Sequence, residues 1–322
     1  ITQKIKYNPN SYSEWDYSLF YSETSTYGRY DRLSRQRNQR PVSAEWNYGP
    51  QLWNAHVLSF KNNKRNYFYD ELSAKTAYQK FEESRIDRDF NDPIRRTKLD
   101  QVNVFNLNLD LSKHINSNIH LSYGLEWVYN QIKSSGNELN INNLISNIAL
   151  ARYPNAQYNS GGIYSALKIK LKNNNHIHAA LRYSLFNIQA DFSYQNQFFP
   201  ILYNKLNSSF NSINGNLGWI KIFKNSLQVH VLFSNGFRAP NIDDIGKVFD
   251  SEPGAVIVPN INLKPEIAYN FETGISKIWN NKVKIETGVF YTYLDNAMVR
   301  RPFQFNGSDS IIYNNVNSQI FA

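Results

Sequence analysis

The stretch from 236 to 272 opens Gly236-Phe237-Arg238-Ala239-Pro240-Asn241-Ile242-Asp243-Asp244. It closes Val258-Pro259-Asn260-Ile261-Asn262-Leu263-Lys264-Pro265-Glu266, followed by Ala268-Tyr269-Asn270-Phe271-Glu272-Thr273-Gly274. Just before it, Leu227, Val229, Val231 and Phe233 alternate with Gln228, His230, Leu232 and Ser234. That is mostly the period of two of a half-buried strand. The same parity puts Phe237 on the apolar face and Arg238 on the other. Pro240 lacks an N–H and fixes its own φ, so the strand is predicted to end there. Beyond the loop, Tyr269, Phe271, Thr273 and Ile275 share one face, and Asn270, Glu272, Gly274 and Ser276 the other. Glu266 falls with Glu272. Neighbouring antiparallel strands would therefore bring Arg238 and Glu266 together on one side, near the loop.

The two boxes, Phe237 to Pro240 and Pro259 to Glu266, in this order and each beside an alternating strand, resemble the barrel region of outer-membrane TonB-dependent receptors. The resemblance takes in Arg29-Tyr30-Asp31-Arg32-Leu33, Glu45-Trp46-Asn47-Tyr48-Gly49-Pro50-Gln51 and Tyr78-Gln79-Lys80-Phe81-Glu82-Glu83-Ser84-Arg85, and so runs along nearly the whole chain.

Composition and patterning agree with it on their own terms. The 322 residues include 22 Tyr, 20 Phe and 6 Trp, yet mean hydropathy is −0.55. A chain polar on average but dense in aromatics fits a barrel with one lipid face, one wet face and aromatic girdles; a soluble all-β protein rich in aromatics fits composition alone equally well. There is no Cys, so a disulfide framework and a zinc-thiolate site are both excluded. The net charge of +9 favours anions, but basic residues are spread along the chain and no nucleic-acid module is present, so nucleic acid is not expected as a partner. No apolar run reaches the length of a transmembrane helix and no signal peptide is visible. Both ends interrupt strand-like patterns (Ile1, Gln3, Ile5, Tyr7 at the start), and both are read as cuts.

Along the chain, alternating segments recur. Phe105, Leu107, Leu109 and Leu111 oppose Asn106, Asn108, Asp110 and Ser112; Ile119, Leu121, Tyr123, Leu125 and Trp127 oppose His120, Ser122, Gly124 and Glu126. Ile163, Leu167, Ile169 and Leu171 oppose Lys168, Lys170 and Lys172. A strand is predicted from Tyr67 through Tyr78, and the loop from Ser134 to Ser160 is expected to hold a short helix around Asn143 to Ala151. Short turns fall at Asn62-Asn63-Lys64, Asn116-Ser117-Asn118, Asn173-Asn174-Asn175, Lys224-Asn225-Ser226 and Asn280-Asn281. They alternate with long polar loops, among them Ser25 to Ser43. About twelve strands result, joined by turns and loops segregated by length, as in a transmembrane antiparallel up-and-down β-barrel. Each of the three lysines would cost on the order of 2–4 kcal/mol on a lipid face at midplane, so they must face the lumen or lie near a rim.

A sheet that spans lipid must close, and the resembled family closes with 22 strands around a plugged lumen. The resemblance therefore implies an open arc, residues 1–322 forming an internal part of one barrel domain with no plug domain in this chain. It further implies a Gram-negative outer-membrane address, lipid contact, and import of a scarce solute, first of all a ferric siderophore, energised by the TonB complex through a missing N-terminal region. Cobalamin, haem, metal complexes and glycans stay open as solutes. Haem receptors of the family typically carry a histidine between the boxes, and 241–258 has none.

Arg29, Tyr30, Arg32, Arg35, Arg37 and Arg40 crowd the first long loop. They suit capture of an anionic ligand by charge-assisted hydrogen bonds; a solvated loop or contact with lipid phosphates accounts for the same residues. Glu126, Arg238, Glu266, Glu272 and Glu286 are predicted to face the lumen, where the resemblance implies contact with a plug and a plain solvated wall is the simpler account. Asp243 and Asp244 are explained by a helix start at Asn241. Nothing in the sequence forms a nucleophile–base set, metal cluster or phosphate loop, so no enzymatic site and no cofactor is expected. The alternative functions are a passive porin-like channel, a barrel enzyme and a soluble β-sandwich adhesin.

Overall fold

Period-two patterning gives the strands. The computed structural model describes residues 1–198, 201, 204–246, 249–252, 254–280, 282–313 and 316–322. In chain order the elements are β1 (Thr2–Asn10), β2 (Ser13–Glu23), β3 (Tyr27–Gly28), α1 (Tyr30–Leu33), β4 (Gln36–Arg37), β5 (Arg40–Pro41), β6 (Ser43–Asn62), β7 (Glu71–Asp89), β8 (Ile94–Asn116), β9 (Ile119–Asn140) and β10 (Ser146–Ala149). They continue with β11 (Asn155–Leu171), β12 (Asn175–Asp191), β13 (Lys205–Ile222), β14 (Leu227–Arg238), α2 (Ile242–Ile245), β15 (Phe249–Glu252), β16 (Ala255–Ile257), β17 (Glu266–Trp279), β18 (Val283–Asp295), β19 (Ser310–Tyr313) and β20 (Val316–Phe321).

One antiparallel sheet runs β1-β2-β6-β7-β8-β9-β11-β12-β13-β14-β17-β18, with β3 added to β6 and β10 to β9. It forms an open arc with β1 and β18 at its ends. Register fixes which side chains share a face. Ile163 lies opposite Leu125 and Tyr183, and Tyr183 opposite Ile213. Leu217, Phe233, Phe271 and Tyr291 form another row. These side chains are not packed away: Ile163 is 62 % exposed, Leu217 59 % and Tyr291 69 %. A continuous apolar belt of this extent is a contact surface for an apolar medium. The opposite face carries polar rows such as Asp110, Gly124, Tyr164, Arg182 and Asn214.

The buried core lies on that polar face, at the end of the long connections. Ala156, Ile188, Ala190 and Leu206 of the wall pack with Ile242, Ile245, Val256 and Val258 from between β14 and β17, and with Phe305 and Ile320 from beyond β18. A small sheet, β15-β16-β20-β19, organises the covering segments, with β16 parallel to β20. Two long connections therefore fold inward and cover part of the polar wall.

Several expectations are corrected. The segment expected to be helical around Asn143 to Ala151 contains β10 instead, paired with Gly136 to Leu139. β9 continues to Asn140, past its last partner on β11, Ala156 opposite Ile132; β10 satisfies the edge left free. The strand predicted from Tyr67 starts at Glu71, because the Asn66 side chain accepts from the N–H groups of Phe68 and Tyr69 and folds a turn there. The loop from Ser25 to Ser43 is structured by β3, α1 and the β4–β5 hairpin. Asn281, placed in a short turn, lies outside the described residues. Phe237 leaves the belt: its ring packs 5.3 Å from Phe186, a residue of the polar face. The cause is a split between β13 and β14, whose described pairing stops at Asn216 opposite Ser234. Beyond it the Asn235 side chain accepts from Gly215 N–H and donates to the Ile213 carbonyl.

Candidate functional site

The two boxes meet at Arg238. β14 and β17 pair in the register Arg238 opposite Glu266, and the guanidinium donates to Glu266 at 3.0 Å, the approach expected from parity. It also donates to both oxygens of Asp244 at 2.8 and 2.9 Å. Asp244 in turn closes the capping box of α2, accepting from Asn241 N–H while the Asn241 side chain accepts from Asp243 and Asp244 N–H. The second oxygen of Glu266 accepts from Met298 N–H at 2.6 Å. One arginine thus ties the end of β14, the start of α2 and the start of β17, while Glu266 adds the chain after β18. The sequence showed the pairing with Glu266 and the cap at Asn241, but not that Asp244 is the second anchor of Arg238.

The polar wall below carries paired charges. Arg182 donates to Glu126 and to Ser184, lying over Gly162, where an added Cβ would sit 2.4 Å from its Nη2. Tyr164 donates to Asp110 across Gly124, again where a Cβ would collide. These two glycines give long polar side chains room to lie flat on the wall. His230 approaches Glu272 at 3.3 Å, and Lys284 pairs with Glu286 at 2.5 Å. A second network, absent from the sequence reading, links Glu83, Arg85, Arg152 and Asp100, with Ser134 donating to the buried Asp100.

The arginine loop divides in two. Arg29 donates to Asp31 through Nε and Nη2 and to the Tyr48 hydroxyl, and lies 5.0 Å over the Trp46 ring; the Arg29 bond holds the Asp31 carboxyl below the usual range. Arg32 lies 5.6 Å over the same ring. Tyr30 is 84 % exposed. Arg37 and Arg40 face each other across the β4–β5 hairpin, whose turn residues Asn38 and Gln39 take positive φ. With Arg35 they are exposed, and none of the three has a side-chain hydrogen bond or ion pair among the described residues. Like charges held opposite each other, as Arg37 and Arg40 are, destabilise the pair unless an anion lies between them.

Comparison with known proteins bears on this geometry. The family model for TonB dependent receptor-like β-barrels matches residues 2–320. No curated protein matches the sequence. Among solved structures, the copper transporter OprC superposes with a TM-score of 0.72 at 8 % identity, covering 99 % of this chain and 47 % of that one. The Serratia marcescens hemophore receptor HasR, in complex with its hemophore and heme, gives 0.72 at 11 %, covering 99 % and 48 %. The ferric citrate transporter FecA gives 0.64 at 12 %, covering 92 % and 43 %. The chain spans about half the length of these structures, and at such identities the likeness speaks for the fold.

Proposed function

The chain belongs to the TonB-dependent receptor β-barrel family, and from that premise we propose that it forms part of the wall and mouth of a gated outer-membrane importer. Its apolar belt faces lipid and its polar face the lumen. Residues 1–322 supply an internal part of the barrel, and the coupling to TonB and the plug come from elsewhere in the protein. The transported solute is a scarce, anionic complex, in first place a ferric siderophore, met at the mouth by Arg35, Arg37 and Arg40. Arg29 and Arg32 position that loop, and the exposed Tyr30 stands beside them on the ligand side. Glu126, Arg238, Glu266, Glu272 and Glu286 line the lumen side.

The observation that carries this reading is the docking of the segment between the boxes onto the polar wall. A passive channel needs an unobstructed wall, whereas a covered mouth suits a site that opens to a ligand. Neighbours named for copper, heme with its hemophore, and ferric citrate transport support metal-complex cargo as a class.

Uptake of labelled ferric siderophores by cells carrying the protein is the test. Uptake that stops when the inner membrane is de-energised agrees with the proposal. Uptake indifferent to energy, together with diffusion of small unrelated solutes, would replace it with a passive pore.

A further inference from the structure

The short-turn end of the polar wall carries a second basic feature. His114 lies opposite His120, and their rings are 4.5 Å apart. His120 lies opposite Lys168, and Lys168 opposite His178. One step nearer the turns, Lys170 lies opposite His176. All six line a single hollow of about 470 Å³. Lys168, Lys170, His176 and His178 make no side-chain hydrogen bond or ion pair among the described residues. Neighbouring strands are about 4.8 Å apart, so the rows set groups able to carry positive charge side by side at that interval. Such like-charge pairs across strands destabilise a sheet unless something negative lies over them.

Among the described residues the surrounding carboxylates are engaged elsewhere or, like Glu71 opposite Ser112 on the far side of β8, stand strands away from the lysines. On the connection before β7, Asp70 is occupied by Lys113, by His114 N–H and by the His114 ring at 3.3 Å. On β8, two rows away, Asp110 is held by Tyr164. On β14, β17 and β18, His230 faces Glu272, and Glu286 pairs with Lys284. β13 contributes Gly218 and Ile220, opposite His178 and His176.

We infer that this hollow is a binding site for a free, multiply charged oxyanion, held by Lys168 and Lys170 with the His114, His120, His176 and His178 rings around them. The two lysines carry the fixed charge, and each of the four rings can turn an N–H toward the same oxygens. The inference stands on this wall alone and does not require the transport reading.

The test is isothermal titration of inorganic pyrophosphate, with citrate as a second probe, into the full-length protein in neutral detergent at neutral pH, at about 0.05 M and about 0.5 M salt. We expect binding at least about tenfold tighter at the lower salt. Lys168→Gln with His178→Gln should weaken it by at least about tenfold, and Lys168→Gln alone should show a smaller loss if the double variant fails to fold. Preference for pyrophosphate narrows the ligand to phosphates, and equal binding of both probes leaves it a general oxyanion site. Absence of binding at the lower salt, affinity independent of salt, or variants that bind like the parent would overturn the inference.

Discussion

The hydroxyl of Tyr153 donates to the carboxylate of Asp243 at 2.8 Å, although the two lie 90 residues apart in the chain. The bond fastens the connection before β11 to the first turn of α2, so the inward-folded segment is moored to the wall by polar contacts as well as by its apolar core. Burial first, and then the bond to Asp243, push the Tyr153 phenol above its ordinary value of 10.0. A raised folded pKa means the contribution is complete below that ordinary value and is lost as pH climbs through the folded one. Docking should therefore be indifferent to pH from neutrality to about 10 and loosen only above it. Tyr153→Phe should cost about 0.5–1.5 kcal/mol of docking and remove the alkaline sensitivity. Hydrogen exchange of α2 against pH reads both; alkaline loosening that persists in the phenylalanine variant would refute the assignment.

Arg238 serves two carboxylates at a partly exposed site, so its single pairs are individually weak, about 0.2–1 kcal/mol each. Arg238→Ala should nevertheless raise protease cleavage between the boxes, because it releases Asp244 and Glu266 together. Arg238→Lys should recover little, since a point charge cannot reproduce the two-oxygen grip on Asp244. Limited proteolysis of the three proteins decides it, and a lysine variant as resistant as the parent counts against the bidentate role.

The two faces of β11 should respond oppositely to charge. Ile163→Arg, in the belt, should cost about 2–4 kcal/mol in a bilayer, while Ala166→Arg, three residues on and facing the polar side, should cost far less. Denaturant unfolding from lipid vesicles measures the difference. Equal costs would mean that the belt is not a lipid surface.

Two glycines with equally close neighbours should behave differently. At Gly162 the obstructing atoms belong to the flexible end of Arg182, whereas at Gly136 they are the backbone carbonyls of Ala149 and Leu150, at 2.4 and 2.6 Å. Gly162→Ala should release Arg182 from Glu126 with little loss of stability. Gly136→Ala should drive β10 from β9, with loss of protection at residues 146–149. Thermal melts and hydrogen exchange of both variants provide the check.

The strands were legible because their information is local. Alternation at Ile163 to Leu171 assigns each side chain a face, and one-residue parity was enough to bring Arg238 to Glu266. What escaped was decided by partners distant in the chain. Residues 146–149 carry no strand signal of their own and become β10 only because β9 overruns β11. The inward fold of the loops depends on Ile242, Val256 and Ile320, apolar residues scattered through polar segments, with no period to mark them. Phe237 followed its parity until the neighbouring strand separated. Among the site residues, Arg29 and Arg32 read as free cations because sequence does not reveal that Asp31, Tyr48 and Trp46 already occupy them.

That separation of β13 from β14 has a mechanical meaning. Elsewhere tension along the wall is shared by long ladders with local bulges, as between Tyr48 and Gln51 on β6; here, in the half nearest the long loops, the described bridging consists of the Asn235 amide reaching across. β14 is also the strand that carries Arg238. A pull on the docked segment would arrive at this fault line, so the wall would unzip there and leave β13 standing on its full ladder with β12.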